Sequence, residues 1–469
     1  MLSLEAILVE DDADQAARTV DELVQLGFVV KHFFTATDFA AAVAAGDVTS
    51  ETDLFVLDRK LPQTLGAEPD NSVGDELLEA VISTFPDSLI TVLSGYSDRD
   101  HLREALRGRG QIHAHGPRQF DRVEVFQKSD LPDAVAYFRS IRDWAQEVEN
   151  VELVTVDLLR PLSKGERRLL KKLVLAMNCV KGSARGMAGG LTGDVVLEFS
   201  AENTRGISTA HVVAKLTRRS VAQMPSGVIA TAPRINVAPR TGTLSGLCGG
   251  LRVNTYQIAA GTTVTSLMEL SARGDSSAVD ALDLLLEALG TDATINIDRV
   301  SFKDLIEPLL DWDWAQLLSV RNTIPLPDQG TWIARHLALQ HGDLHAGNVL
   351  VVDAVPVLID ADDEVLASWL LDPVLLLLGT FVHPDSAVRD VGVLPADVIA
   401  LLSGEVSQVD SPWITSTAGW VRSRAIEPRE LWAVVYAVCL RYLSLDSIQS
   451  HQPSKDLVEA LARHAAASI

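Results

Sequence analysis

The stretch His341-Gly-Asp343-Leu-His345-Ala-Gly-Asn348-Val-Leu, with a second acid at Asp360 after an apolar run, carries the most information in this chain. Asp343 can accept the proton of an attacking hydroxyl, and the amide oxygen of Asn348 can bind Mg²⁺ from the same loop. Asp360 can supply a carboxylate ligand to the same Mg²⁺ ion. A base and two magnesium ligands so close together are what transfer of a phosphoryl group from a nucleotide to a hydroxyl requires, so the stretch indicates phosphoryl-transfer chemistry.

Two histidines, His341 and His345, flank the aspartate and offer nitrogen ligands of the kind that zinc uses. Asp343, Asn348 and Asp360 explain the motif without zinc, so we expect both histidines to be packed or hydrogen-bonded residues that fix the loop. The same motif in a fold that binds nucleotide without turning it over is an open alternative.

The composition is that of a soluble globular protein with more than one folding unit. A chain of 469 residues is too long for one ordinary domain, and 47% hydrophobic with 22% charged residues is typical of globular chains. The three cysteines are widely spaced in apolar surroundings, which favours a reducing cytoplasm over a disulfide framework. The N-terminus reaches acids too early for a signal peptide, and the apolar run Leu366 to Val382 contains Asp372, so we expect no membrane insertion.

Charge is distributed in three blocks of different sign. Residues 1–150 hold 13 Lys/Arg against 28 Asp/Glu, residues 158–268 hold 15 against 4, and residues 269–469 hold 12 against 29. A net charge of −23 makes the chain as a whole a poor nucleic-acid binder, because phosphate contacts need concentrated Lys and Arg. The basic middle block suits nucleotide phosphates, an anionic partner or one of the acidic blocks.

The first block reads as strands that alternate with helices, which predicts a parallel α/β fold. Ala6–Val9 is an apolar run that ends before Glu10 and Asp11, and Leu54–Leu57 ends before Asp58. Carboxyl ends of parallel strands meet at one edge of a sheet, so these acids should converge there. The other elements of the pattern are the runs Leu89–Leu93 before Ser94 and Val123–Phe126 before Lys128, and the helical segments Gln15–Leu26 and Gly74–Thr84.

These positions, over residues 1 to about 145, resemble a response-regulator receiver domain, a (βα)5 fold. The resemblance implies that Glu10, Asp11 and Asp58 hold Mg²⁺ and that Asp58 accepts a phosphoryl group from a sensor histidine kinase. It also implies that Ser94 senses this group and that Lys128 pairs with its oxygens. Carboxylates suit a hard cation, and the cation with a lysine offsets the charge of the incoming group.

The sequence departs from the receiver pattern in two places. Gln63 to Val73 enlarges the loop after Asp58, and Ser129 stands where the family usually has a proline after the lysine. A receiver-like fold that serves only for docking is the alternative function. The helical pattern from Asp133 to about Val151 either packs on the receiver sheet or pairs with its copy in a homodimer.

A glycine-rich run followed by a lysine-bearing strand comes next, and both suit nucleotide phosphates. Glycines let backbone N–H groups approach phosphates closely, and the strand lysine of kinases contacts the α- and β-phosphates. Each signal alone has an ordinary alternative, a mobile loop and a solvent-facing lysine. The cofactor-binding candidates are Gly189, Gly190, Thr192, Gly193 and Lys215, with Tyr256 and Ile258 for backbone contacts to adenine between two lobes.

From about Leu173 onward the chain resembles the aminoglycoside and choline phosphotransferase branch of the kinase fold, in particular the ternary-complex-associated kinase-like domains of bacterial signalling proteins. The resemblance implies a two-lobed protein-kinase-like α+β domain that uses ATP and Mg²⁺, with Asp343 as base and Asn348 and Asp360 as metal ligands. The expected organisation is a receiver at 1–145, a helical linker at 146–170, a small lobe at 171–255 and a large, mainly helical lobe at 256–469.

One departure from the kinase pattern bears on activity. No Asp or Glu lies between Glu202 and Glu269, so the helix that normally supplies a carboxylate to the strand lysine has none for Lys215. Either an acid from elsewhere, such as Glu198, Glu202 or the receiver, completes the pair, or the kinase half is inactive until rearranged. Our hypothesis is that the acidic receiver docks on the basic small lobe, and that phosphorylation of Asp58 alters this docking and the position of Lys215.

Three functions fit these residues. The first is a receiver-controlled ATP-dependent phosphotransferase with an unknown acceptor, a small molecule or a protein. The second is a pseudokinase module that signals through nucleotide or partner binding without turnover. The third is an aminoglycoside-type resistance phosphotransferase, which the fused receiver disfavours because a resistance enzyme needs no phosphorelay. A DNA-binding output is disfavoured, since no helix-turn-helix pattern stands beside the receiver.

Overall fold

The computed structural model describes two compact units of the chain. The first comprises Met1–Arg185, Leu197–Arg219 and Thr241–Thr255, and the second comprises Gly186–Val196, Ser220–Arg240 and Tyr256–Ile469. The described residues are 4–95, 111–115, 118–187, 194–218, 236–258, 264–274, 276–289, 297–310, 324–361, 365–409 and 411–469. The phosphate-binding candidates Gly189, Gly190, Thr192 and Gly193 lie outside them.

The first unit begins with a doubly wound parallel sheet. Its elements in chain order are β1 (Leu4–Val9), α1 (Ala13–Gln25), β2 (Phe28–Phe33), α2 (Ala36–Ala44), β3 (Leu54–Asp58), α3 (Asn71–Thr84), β4 (Leu89–Ser94), the hairpin β5 (Gln111–His115) and β6 (Arg118–Asp121), β7 (Val123–Gln127) and α4 (Leu131–Glu149). The sheet has the order β2-β1-β3-β4-β7, and its pairings are parallel. This is the 2-1-3-4-5 order of flavodoxin-like folds, which bind ligands at the carboxyl ends of their strands.

The receiver sheet is buried on both faces. β3 and β4 are buried along their whole length because their continuous apolar runs supply side chains to both sides. One core cluster joins the sheet to α1 and α4, and another joins it to α2 and α3. Phe138, Ile141 and Trp144 of α4 are fully buried in the first cluster, so the packing interpretation of this helix holds. The expected receiver fold is confirmed.

Three features of this region are not evident from the sequence pattern. β2 is an edge strand with Val29 exposed, and Lys31 and His32 interrupt its apolar pattern. The β5–β6 hairpin pairs outside the main sheet. The enlarged loop after Asp58 is folded, because a bridge joins Leu61 to Asp70 and the Asp70 carboxylate caps α3 by accepting a hydrogen bond from the N–H of Ser72.

A second, six-stranded sheet follows in the chain. The next elements are β8 (Glu152–Val156), α5 (Lys164–Ala176), β9 (Lys181–Met187), β10 (Val195–Glu202), β11 (Ser208–Thr217), β12 (Asn236–Val237), β13 (Arg240–Ser245) and β14 (Arg252–Gln257). Without β12, these strands form a sheet of order β13-β14-β11-β10-β9-β8. Residues 146–170, expected as a helical linker, instead contain the end of α4, strand β8 and the start of α5. β8 forms because pairing with β9 satisfies its backbone polar groups, a contact that the local pattern does not reveal.

Helices predominate in the second unit. Its elements after β12 are β15 (Val264–Ser266), α6 (Leu267–Ala272), α7 (Ser277–Leu289), β16 (Ile297–Ser301), α8 (Phe302–Ile306), β17 (Trp332–Gln340), β18 (Val349–Val352), β19 (Val355–Leu358), β20 (Val365–Ser368), α9 (Leu371–Val382), α10 (Pro395–Ser403), α11 (Pro412–Arg424), α12 (Pro428–Leu443), α13 (Asp446–Gln449) and α14 (Gln452–Ser468). Two small sheets have the orders β12-β19-β18-β15 and β16-β17-β20.

One apolar core holds the helices of the second unit together. Every residue of α9 is buried, as its nearly continuous apolar sequence predicts for a helix surrounded by protein. Asp372 is buried with it and forms part of the candidate site. Among the described residues, no helix has the length and apolarity needed to cross a bilayer.

Candidate functional site

Three carboxylates meet at the carboxyl edge of the receiver sheet. Glu10 and Asp11 follow β1, Asp58 ends β3, and one oxygen from each lies within 4.8 Å of the others. Parallel pairing of the two strands, with Val9 opposite Leu57, brings these residues to the same level. Among the described residues, this is the one group of three acidic, histidine or cysteine side chains placed to hold a metal ion.

Lys128 bridges two of these carboxylates. Its Nζ lies 2.8 Å from Glu10 Oε1 and 2.9 Å from Asp58 Oδ2. Lys128 follows β7, and Ser94, which is buried, ends the neighbouring strand β4. The structure therefore places all five predicted receiver residues at one edge of the sheet: Glu10, Asp11, Asp58, Ser94 and Lys128.

Burial changes the proton affinity of this cluster. Burial and the charge of Asp58 raise the pKa of Glu10 to about 7, although Lys128 acts in the opposite direction. Burial also raises the pKa of Asp58, again against the effect of Lys128. Burial alone would lower the pKa of Lys128, but the two carboxylates outweigh it and raise that pKa. Lys128 supplies one positive charge to a cluster of three carboxylates, so a divalent cation would offset the remaining negative charge.

The donor set at this edge fits magnesium. Mg²⁺ prefers oxygen ligands, and one or two protein carboxylates usually bind it together with water. Glu10 Oε2 is buried and has no hydrogen-bond partner among the described residues, whereas Oε1 contacts Lys128. A buried carboxylate oxygen without a partner is costly unless a cation or water lies beside it. Glu10, Asp11 and Asp58 are the residues that would hold the ion.

Two residues that neighbour this cluster are not predicted from the sequence. His32 on β2 places its Nε2 2.8 Å from the backbone oxygen of Glu10. Arg59, next to the candidate phosphoacceptor, pairs at 3.0 Å with Asp75 of α3. A Cβ on Gly74 would lie 1.9 Å from Arg59 O, so only glycine permits this approach of α3. A glycine inside a helical pattern is the signal for such close packing.

In the second unit, the loop after β17 is held by its two histidines. Gly342 has φ +81°, a turn that favours glycine. His341 donates through Nε2 to Ile359 O at 2.9 Å and accepts through Nδ1 from the N–H of Asp343. His345 Nδ1 accepts from the N–H of Gly347 at 3.1 Å. Both histidines thus bind the loop backbone, as the non-zinc interpretation of the motif expects.

Asn348, a candidate metal ligand, is hydrogen-bonded to the candidate base Asp343 and lies next to the second candidate ligand, Asp360. Its Nδ2 donates to Asp343 O at 2.8 Å, while its Oδ1 is buried and has no hydrogen-bond partner among the described residues. The N–H of Ile359 donates to Asn348 O at 3.1 Å, which places Asp360 next to this loop. Asp360 has φ +62°, a conformation that non-glycine residues rarely adopt and that recurs at functional sites. The amide oxygen and the carboxylate fit a hard cation.

Asp372 anchors the loop, a role that sequence reasoning missed. Its carboxylate accepts hydrogen bonds from the N–H of His341 at 2.8 Å and from the N–H of Gly342 at 3.1 Å. Burial raises the pKa of Asp372, while His341 and these hydrogen bonds act in the opposite direction. The acid lies in the first turn of α9, where the helix dipole favours negative charge. Its position before Pro373 is the local signal that could have revealed it.

The remaining nucleotide candidates lie on β11 and around β14. Lys215 is buried on β11 and has a polar or electrostatic partner, so the lack of a nearby acid in the sequence does not leave it unpaired. Glu198, one suggested partner, already contacts Arg185 and His211 at 2.7 and 2.8 Å. Tyr256 ends in a hydroxyl 3.1 Å from Asp360 Oδ1. Ile258, just after β14, is buried.

No protein-family model matches the sequence, and no curated protein matches it either. A CheY-like receiver domain protein from Methanospirillum hungatei JF-1 is 21% identical over 31% of this chain and 98% of its own, with a TM-score of 0.21. A receiver domain protein from Clostridium thermocellum is 14% identical over 30% of this chain and 97% of its own, with a TM-score of 0.22. A choline/ethanolamine kinase family protein from Mesorhizobium loti is 13% identical over 61% and 87%, with a TM-score of 0.31.

The chain combines an N-terminal receiver fold with a kinase-like α+β fold. The strand order of the first sheet and the carboxylates at its edge define the receiver class.

Proposed function

We propose that the protein is a two-component response regulator whose output is an ATP-dependent phosphotransferase acting on a hydroxyl of a small molecule or protein. The observation that carries this proposal is Asn348, which binds the backbone of Asp343 and keeps a buried oxygen without a hydrogen-bond partner among the described residues. Such a loop suits an aspartate base beside a bound cation. A loop that only packed would be expected to satisfy that oxygen.

Each residue of the loop has an assigned role. Asp343 takes the proton of the acceptor hydroxyl. The hydroxyl oxygen forms a bond to the γ-phosphorus of ATP as the bond between that phosphorus and ADP breaks. Asn348 and Asp360 would hold Mg²⁺, which offsets charge on the phosphates. The family resemblance assigns Lys215 to the nucleotide phosphates and the backbone near Tyr256 to adenine.

Control is assigned to the receiver. A sensor histidine kinase donates the phosphoryl group, whose bond to histidine nitrogen breaks as a bond to an Asp58 carboxylate oxygen forms. Glu10 and Asp11 would hold Mg²⁺ with Asp58, Lys128 would pair with the phosphoryl oxygens, and Ser94 would respond to them. The cytoplasm, where such kinases present their phosphohistidine, is the proposed location.

A pseudokinase is the second candidate, and one contact favours it. Arg441 pairs with Asp343 at 3.1 Å, so the carboxylate that should accept a proton already has a cationic partner. In this alternative, nucleotide binding or partner binding carries the signal without turnover.

Labelled ATP distinguishes the two functions. The purified chain is incubated with Mg²⁺ and γ-labelled ATP, with and without cell lysate, alongside Asp343→Asn and the control Asp353→Asn in the exposed turn between β18 and β19. Label transferred by the wild type and the control but reduced at least about 10²-fold in Asp343→Asn supports the phosphotransferase. ATP binding with no transfer from any variant supports the pseudokinase instead.

A further inference from the structure

Two aspartates lie at the amino ends of the central receiver strands, opposite the edge that carries Asp58. Asp53 immediately precedes β3, and Asp87 lies two residues before β4. Asp53 is buried and pairs with Arg168 and, at 3.5 Å, with Lys164, both on α5. All of these residues belong to the first unit. Buried ion pairs therefore join the receiver to the basic segment that follows it.

Asp87 binds the loop that connects β13 to β14. Its Oδ2 accepts hydrogen bonds from the N–H of Cys248 at 2.7 Å and from the N–H of Gly250 at 3.0 Å. Gly249, between them, has φ +69°, and a Cβ there would lie 3.2 Å from Ser50 O of the receiver. Glycine at this position lets the loop backbone reach the receiver surface.

Leu247 inserts from the same loop into the receiver core. It is 3% exposed and belongs to the apolar cluster that joins the sheet to α1 and α4. Its φ of +58° is rare for leucine and persists only where surrounding contacts impose it. Arg168 donates to its backbone oxygen at 2.9 Å, and the fully buried Lys172 donates to the backbone oxygens of Ser245, at 2.8 Å, and Gly246.

α5 is packed as closely as the loop. A Cβ on Gly165 would lie 2.7 Å from Cys248 O. The cationic groups of Arg168 and Lys172 lie 5.9 and 5.8 Å from the ring centroid of Trp144, which is fully buried in α4. Separation of these elements would unpair buried charges and empty the space that Leu247 fills, both of which are strongly unfavourable.

We propose that this amino edge is the output surface of the receiver, and that its partner is α5 with loop 245–250 of the same chain, docked whether or not Asp58 is phosphorylated. β3 (Leu54–Asp58) begins directly after Asp53 and ends at Asp58, and β4 (Leu89–Ser94) begins two residues after Asp87 and ends at Ser94. Each buried strand therefore connects a docking residue at its amino end to a switch residue at its carboxyl end. Phosphorylation then shifts α5 through the strands without releasing it. The regulatory meaning of this shift rests on the proposed function, whereas the docking does not.

Hydrogen exchange on the full chain tests the output role, with Mg²⁺ and beryllofluoride as the mimic of phosphorylated Asp58. The expected result is altered exchange at residues 10–12 and 58–61 together with a several-fold change in α5 and loop 245–250, both of which stay protected. Full loss of protection in these two segments would overturn the proposal that they stay docked. A response at 58–61 without any change in α5 and the loop would overturn the output role, as would no response at any of these sites.

Paired variants test the docking without phosphorylation. Arg168→Ala should lower the melting temperature and speed exchange at residues 53–54 and 245–250 together, whereas Arg167→Ala, exposed on the same helix, should behave as the wild type. If Arg168→Ala does not fold, Asp87→Asn provides a milder loss at the loop contact. Exchange equal to that of the control in either tested variant overturns the docking. ATP turnover is assayed separately, so an inactive chain that shows these exchange changes contradicts only the phosphotransferase.

Discussion

Arg441 Nη2 lies 3.1 Å from Asp343 Oδ1, although 98 positions separate the two residues in the chain. The same guanidinium donates through Nη1 to Gly342 O. Arg441 lies in the last turn of α12, where the helix dipole favours a cation. One arginine therefore holds both the side chain of the candidate base and the backbone beside it.

Replacing Arg441 should impair turnover more than nucleotide binding. Arg441→Ala removes the hydrogen bonds that Arg441 donates to Asp343 and Gly342. Misplacement of a reacting group by about 1 Å can cost roughly 10²-fold in rate. We expect that loss in kcat with little change in the KM for ATP. Arg441→Lys should restore activity only in part, because lysine cannot donate to two sites as a planar fork does. Arg429→Ala, exposed on the same helix, is the control, and faster turnover in Arg441→Ala would show that the ion pair restrains the base.

Asn348 should set the magnesium requirement of the kinase half. Asn348→Ala removes the oxygen assigned to the ion, so the Mg²⁺ concentration for half-maximal transfer should rise by at least the roughly tenfold that outer-shell substitutions cause. Asn348→Asp keeps an oxygen but loses the hydrogen bond to Asp343 O, so it should lower kcat with a smaller change in the Mg²⁺ requirement. A Mg²⁺ titration of both variants measures this. An unchanged requirement in Asn348→Ala would remove Asn348 from the metal site.

Asp372 should contribute to stability through the loop. Asp372→Ala leaves the buried N–H groups of His341 and Gly342 without their acceptor, and each such loss costs about 1–3 kcal/mol. The free energy of unfolding, measured by chemical denaturation, should therefore fall by about 2–6 kcal/mol. Asp456→Ala, exposed on α14, should change it by less than about 0.5 kcal/mol. Equal losses in the two variants would contradict the anchoring role.

The same aspartate should make stability depend on pH. Burial raises the pKa of Asp372, so the folded chain retains its proton over a range in which the unfolded chain has released it. Because the folded state binds more protons there, the free energy of unfolding should decline as pH rises from the ordinary aspartate pKa through the raised one. Asp372→Asn cannot titrate, so the difference between wild type and variant should follow this decline. A difference that is constant over the range would rule out the titration.

Magnesium should stabilise the receiver without ATP. An ion that binds only the folded state contributes about 2.7 kcal/mol at 100 times its Kd. We expect Mg²⁺ to raise the melting temperature of the full chain above its value in EDTA, and Asp11→Asn to lose most of that increase. Asp14→Asn, exposed on α1, is the nearby control. The same increase in Asp11→Asn as in the control would exclude Asp11 as a ligand.

The receiver strands are predictable because their signals are local. Apolar runs of four or five residues ending in polar residues predict β1, β3, β4 and β7, and parallel pairing then brings their ends to one edge. β2 and β8 lack such a signal, since each is an edge strand whose pairing, more than its own pattern, makes it a strand. The expected linker therefore contains a strand whose local signal is limited to the β-branched residues Val154, Thr155 and Val156.

By itself, the sequence determined two folds and the residue types of their sites, because motif spacing and hydrophobic period are properties of neighbouring residues. Only the tertiary structure decided which distant groups complete those sites: Arg441 beside Asp343, Asp372 beneath the loop, and Leu247 inside the receiver core. These contacts join residues between about 30 and 240 positions apart, and their partners depend on the path of the chain. Burial makes the loss of each contact costly in stability, because water cannot replace the partner of a buried polar group or fill a cavity in the core.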